Sequence, residues 1–85
     1  MITEEYIKLK VTQMLKDILE LKTTPEIIED NLINGFNIDS ISALELLVRI
    51  EQEFHIQIPD EELSVNLLNS FSNLIVYIES KCNEN

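Results

Sequence analysis

Residues 39–54 read Asp39-Ser40-Ile41-Ser42-Ala43-Leu44-Glu45-Leu46-Leu47-Val48-Arg49-Ile50-Glu51-Gln52-Glu53-Phe54, and this stretch decides the fold. Successive residues of an α-helix turn by about 100°. Ala43, Leu46, Leu47, Ile50 and Phe54 therefore share one stripe, which predicts a helix from Asp39-Ser40 to about Phe54 with that stripe in the core. Ile41, Leu44 and Val48 form a second apolar stripe on nearly the opposite side, with Glu45 and Gln52 along one edge and Glu51 along the other. A helix buried on one side has no need of a second apolar stripe. Either the preceding connection covers it, or it stays exposed and rimmed by acids, as a docking surface does.

The start of this helix carries its own signal. Asp39 suits the N-cap, where its carboxylate can accept the free backbone N–H groups. Ser40 then takes the first helical position, beside the positive end of the helix dipole. A phosphate attached there would be favoured by the dipole and the unpaired amides. An Asp-Ser pair alone is only a common cap.

Working outward, Thr3 can cap a first helix in which Ile7, Val11, Met14, Ile18 and Leu21 recur on one face, ending near Leu21. Lys22-Thr23-Thr24-Pro25 breaks it. Residues 23–38 form a long connection anchored by Ile27, Ile28, Leu32 and Ile33, with Asn34-Gly35 as a turn signal. After Phe54, Pro59 opens a short helical turn through Glu61 to Leu67, with Ser64 inside it. Ser70 can cap a last helix with Phe71, Leu74, Ile75 and Ile78 on one face. Only His55 to Ile58 hints at strand alternation. The expected fold is all-α: a small bundle of three longer helices and one short helix, one small domain over residues 1–85, ordered from about 3 to 80.

The charge is −10 and unevenly spread. Residues 1–22 are balanced, whereas residues 23–80 hold eleven acids against Arg49 alone. Such a surface repels nucleic acid and anionic membrane and attracts basic protein patches, so neither nucleic acid nor membrane is expected as a partner. The opening Met1-Ile2-Thr3-Glu4-Glu5 is acidic where a signal peptide is basic, and the longest apolar run is only Leu74 to Ile78. With Cys82 as the single cysteine, the chain reads as cytoplasmic, without disulfide or zinc site.

Taken together, Ile38-Asp39-Ser40-Ile41, Leu44-Glu45-Leu46-Leu47, Ile50-Glu51-Gln52-Glu53-Phe54 and Ile56-Gln57-Ile58-Pro59-Asp60-Glu61-Glu62-Leu63 resemble the acyl carrier protein family, continuing into Ser70-Phe71 and Tyr77-Ile78. The resemblance implies that a phosphopantetheinyl transferase attaches 4′-phosphopantetheine from coenzyme A to Ser40, and that cargo rides on the thiol of that arm. It gives Asp39 a part in positioning the Mg²⁺ that the transferase uses. Glu45, Val48 and Glu51 match family positions that meet partner enzymes, so the expected interface comprises Ile41, Leu44, Glu45, Val48, Glu51 and Gln52. Partners would be acyl- or aminoacyl-loading enzymes and downstream synthases or transferases with basic docking patches.

The chain also departs from the housekeeping fatty-acid carriers, which usually show Leu-Gly, one residue, then Asp-Ser-Leu-Asp. Here Gly35 lies further upstream, Ser42 replaces an acid, Gln52 replaces another, and Arg49 adds a positive charge to the helix. These features look more like discrete carriers of polyketide, nonribosomal peptide or aminoacyl-transfer pathways, although the Gly-Gly-His or Gly-Gly-Asp of peptidyl carriers is absent too.

Three other readings compete. Asp30, Asn34 and Gly35 stand at EF-hand positions one, five and six, but Leu32 and Ile41 would fall at positions three and twelve and cannot ligate calcium. A catalytic role would have to rest on His55 and Cys82, the single histidine and thiol, in different segments; no catalytic residue is expected. An unmodified helical adaptor would use the Ile41, Leu44 and Val48 stripe without Ser40.

Overall fold

A computed structural model describes residues 2–84; Met1 and Asn85, the ends of the expected 1–85 domain, lie outside the described residues. Helix α1 spans Glu4–Ile18, α2 Leu32–Phe36, α3 Ser40–Phe54 and α4 Phe71–Cys82, with a 3₁₀ turn at Val65–Leu68. The expected all-helical bundle of three longer helices and a short one is what forms. Helix α1 packs on both α3 and α4, and the 3₁₀ turn touches α2, α3 and α4. The core joins Ile7, Val11 and Leu15 of α1 to Leu46, Leu47 and Ile50 of α3 and to Leu74, Ile75 and Ile78 of α4. Leu32 and Leu68 close it from the connections. No polar side chain is buried among the described residues, so apolar burial drives the assembly.

Every longer helix starts on a side-chain cap. Thr3 accepts the Tyr6 amide at 3.2 Å, Asp39 Oδ1 accepts that of Ser42 at 2.8 Å, and Ser70 Oγ accepts that of Asn73 at 3.2 Å. The ends of α1, α2 and α3 share a different device. Leu21, Ile38 and Ile56 each donate a backbone N–H five residues back, to the carbonyls of Lys16, Ile33 and Glu51. In each case the residue before the donor is left-handed: Glu20 at φ 56°, Asn37 at φ 54° and His55 at φ 56°. These are Schellman closures built without glycine.

The closures explain where sequence reading slipped. Helix α1 stops at Ile18 rather than near Leu21, because the left-handed Glu20 turns Leu21 back onto Lys16. Asn34-Gly35 is no turn. Both lie inside the short α2, and the chain reverses at Asn37. Gly35 is there for space, since a Cβ at this position would stand 2.9 Å from the Glu29 Cβ. The short helical turn expected through Leu67 divides at Ser64, which caps the 3₁₀ turn by accepting the Asn66 amide instead of sitting inside a helix. Residues His55 to Ile58 form no strand. The Ile58 amide is taken by the Glu51 carboxylate at 2.8 Å.

Candidate functional site

The predicted core stripe of α3 is buried: Ala43, Leu46, Leu47, Ile50 and Phe54 are all at or below 5% exposure. The second stripe is not. Ile41 is 80% exposed, Leu44 50% and Val48 37%. The connection anchors itself elsewhere, through Leu32 and Ile38, so the covering role open to it is not taken. What remains on the surface is an apolar strip along α3 that begins beside Ser40.

Ser40 is the first residue of α3 and is exposed. Asp39 performs the capping, so the Ser40 hydroxyl is not needed for it and makes no hydrogen bond among the described residues. The Ser42 amide, then the Ser42 hydroxyl and the Ile41 amide, hold the Asp39 carboxyl below the usual aspartate range. The position is fixed from behind. Ile38 is buried in the core and its amide is bonded to Ile33, so the chain enters the helix from an anchored residue. A group attached to Ser40 would therefore have open space and an anchored base.

Among the described residues, neither the histidine nor the cysteine lies beside Ser40 to activate its hydroxyl. His55 caps the opposite end of the fifteen-residue helix, about 22 Å away at 1.5 Å per residue. The Cys82 thiol belongs to the last turn of α4, where burial pushes its pKa up and so weakens it as a nucleophile. The Asp30 carboxylate, considered above as a calcium ligand, instead accepts Ser70 and Ser72.

The sequence-predicted interface residues do not all behave alike. Ile41, Leu44, Glu45, Val48 and Gln52 are exposed along α3. Glu51 is half-buried and bonds the Ile58 amide, which gives it a structural task in the following loop. Arg49 stands against Glu45, with Nη2 3.0 Å from Oε2, and its other nitrogen is 4.0 Å from Asp17 Oδ2 on α1. The first contact has the i,i+4 spacing of a helix ion pair and was legible in the sequence. The second joins two helices and was not.

A model described as phosphopantetheine attachment site matches residues 9–78. The chain belongs to the acyl carrier protein family. An acyl carrier protein of Helicobacter hepaticus is 35% identical over 79 residues, covering 92% of this chain and 95% of that one. One from Clostridium acetobutylicum is 31% identical over 75 residues, covering 88% and 95%. A meromycolate extension acyl carrier protein of Mycobacterium tuberculosis is 25% identical over 84 residues, covering 99% and 71%. No solved structure is significantly similar. As a member of this family the carrier holds acyl intermediates through covalently attached 4′-phosphopantetheine. Acyl carrier proteins are carriers rather than catalysts, and they work with a phosphopantetheinyl transferase and with acyl-handling enzymes. No described helix of this carrier is long and apolar enough to cross a membrane.

Proposed function

We propose that Ser40 is the attachment residue, that the exposed stripe of α3 is the docking face, and that the carrier serves a specialised polyketide, nonribosomal-peptide or aminoacyl-transfer pathway. One observation carries the site: an exposed, uncommitted serine hydroxyl opens a helix whose outer face is an uncovered apolar strip. The arm supplies a thiol that holds cargo as a thioester. The residues of the chain do the rest. Asp39, kept ionised by the amides it caps, is the carboxylate next to the reacting hydroxyl and would help hold the transferase's Mg²⁺. Ile41, Leu44 and Val48 offer apolar contact, while Glu45 and Gln52 line the rim.

The pathway assignment rests on the composition of that rim. Ser42, Gln52 and the Arg49–Glu45 pair leave the docking helix less acidic than in housekeeping fatty-acid carriers. The relatives named simply acyl carrier protein favour the housekeeping role as the second reading.

Incubation with a phosphopantetheinyl transferase and coenzyme A, read by intact mass, should add one arm to the protein and none to Ser40→Ala. An alanine variant that still gains the arm would move the site elsewhere, and an unaltered protein that gains none would favour the adaptor reading. Loading of the arm-bearing form by a housekeeping malonyl-transfer enzyme should be slow beside a housekeeping carrier. Equal loading would assign the fatty-acid role.

A further inference from the structure

Arg49 is the single cation among residues 23–80, which hold eleven acids, and it lies on the docking helix. Its guanidinium is partly exposed but paired. It bonds Glu45 Oε2 at 3.0 Å and approaches Asp17 Oδ2 at 4.0 Å, so it bridges the rim of the exposed stripe to α1. Of the two acids on the edges of that stripe, Glu51 is half-buried and bonded to the Ile58 amide. Glu45 is the exposed one, and it is the one that Arg49 occupies. The carrier is strongly acidic as a whole, yet its docking face presents Ile41, Leu44, Val48 and an internally neutralised ion pair.

We infer that Arg49 is a specificity-determining residue that acts by masking Glu45. The overall charge draws basic partners in from a distance. At contact, a partner reaching for Glu45 with a cation must share the carboxylate with Arg49 or displace it, and in either case meets its positive charge. The face therefore favours enzymes whose docking patch is apolar at its centre and sparing in cations, and disfavours strongly basic patches. This rests on the docking-face reading above. The pair is exposed, and exposed pairs contribute little to stability, so its value lies in partner choice.

The test measures kcat and KM of transferase-catalysed modification of the full chain by coenzyme A at several ionic strengths, for Arg49→Ala, Arg49→Lys, Glu45→Gln and the double variant. Arg49→Ala should lower KM about two- to threefold at low salt, as expected for unmasking one charge at a solvated rim. Its kcat should hold, and its salt dependence should steepen. Arg49→Lys, which can pair again at i,i+4, should bring KM back. Arg49→Ala should have no effect once Glu45 is already Gln. An unchanged or raised KM in Arg49→Ala would overturn the inference, and so would an effect that persists in the Glu45→Gln background, since that means direct repulsion of the partner. An unaltered chain that accepts no arm would overturn the Ser40 reading and this inference together. An arm accepted at rates indifferent to Arg49 would overturn the inference alone.

Discussion

The carboxylate of Asp30 accepts the hydroxyl of Ser70 at 2.6 Å, although 40 residues separate them. It also accepts the amide and hydroxyl of Ser72, at 3.0 and 2.9 Å, while the Asp30 carbonyl takes the Phe71 amide at 2.7 Å. One residue of the long connection thus completes the start of α4. Ser70→Ala loses both the donor to Asp30 and the cap on Asn73, and should cost about 1 kcal/mol or somewhat more. Asp30→Ala should also lower the melting temperature, and Asp30→Asn less so because one acceptor oxygen survives. Thermal melts followed by circular dichroism decide it. A melt of Asp30→Ala matching the unaltered protein would mean the connection is held by its apolar anchors alone.

The same bonds set an acid limit. The Ser70 hydroxyl, then the Ser72 amide and hydroxyl, hold the Asp30 carboxyl below its ordinary value of 3.8, and the Ser42 amide does the same for Asp39. A carboxylate whose folded pKa lies below its unfolded one contributes stability that is present above the unfolded value and is lost as pH falls through the folded one. Between about pH 5 and pH 2 the melting temperature should therefore fall, and the gap between the unaltered protein and Asp30→Asn should close. A gap that stays constant down to the lowest pH would show that Asp30 contributes through contacts other than its charge.

The core stripe of α3 and its exposed outer stripe, proposed above as the docking face, can be separated by truncation. Ile50 is fully buried, so Ile50→Ala should destabilise by about 2–5 kcal/mol. Val48 is more than a third exposed, and Val48→Ala should change stability by about 0.5 kcal/mol or less. It should nonetheless slow modification by the transferase, because an apolar side chain central to an interface can anchor it. Equal losses of stability would mean that the outer stripe is buried in solution.

Backbone conformation gives an opposed pair of glycine substitutions. His55 is exposed and left-handed, a conformation that costs a side-chain-bearing residue about 1–2 kcal/mol and glycine almost nothing. Part of that gain is offset by the freedom glycine adds to the unfolded chain, so His55→Gly should stabilise by up to about 1 kcal/mol. Gly35→Ala should do the reverse. Its Cβ would press on the Glu29 Cβ at 2.9 Å, an atom next to the backbone that cannot swing aside. Denaturant melts of the two variants should shift in opposite directions.

Much of this protein follows from local pattern. The 3.6-residue period of residues 39–54 placed α3 and both of its stripes, because periodicity is a property of the helix itself. The caps at Thr3, Asp39 and Ser70 were equally legible, since each side chain reaches an amide only three residues on. The same locality shows Arg49 four residues from Glu45. Helix ends were less legible because glycine is the usual signal for a left-handed closure, and here Glu20, Asn37 and His55 supply all three, while Gly35 serves a close approach within α2. Whether the outer stripe is covered could not be read from periodicity, which says that two faces are apolar and not which one finds a partner. Packing decided that, by drawing Leu32, Ile38 and Leu68 into the core and leaving Ile41, Leu44 and Val48 outside. The Asp30–Ser70 link and the reach of Arg49 to Asp17 were decided by the fold as well. Each joins residues far apart in the chain, and no spacing rule connects side chains that meet only after the helices have packed.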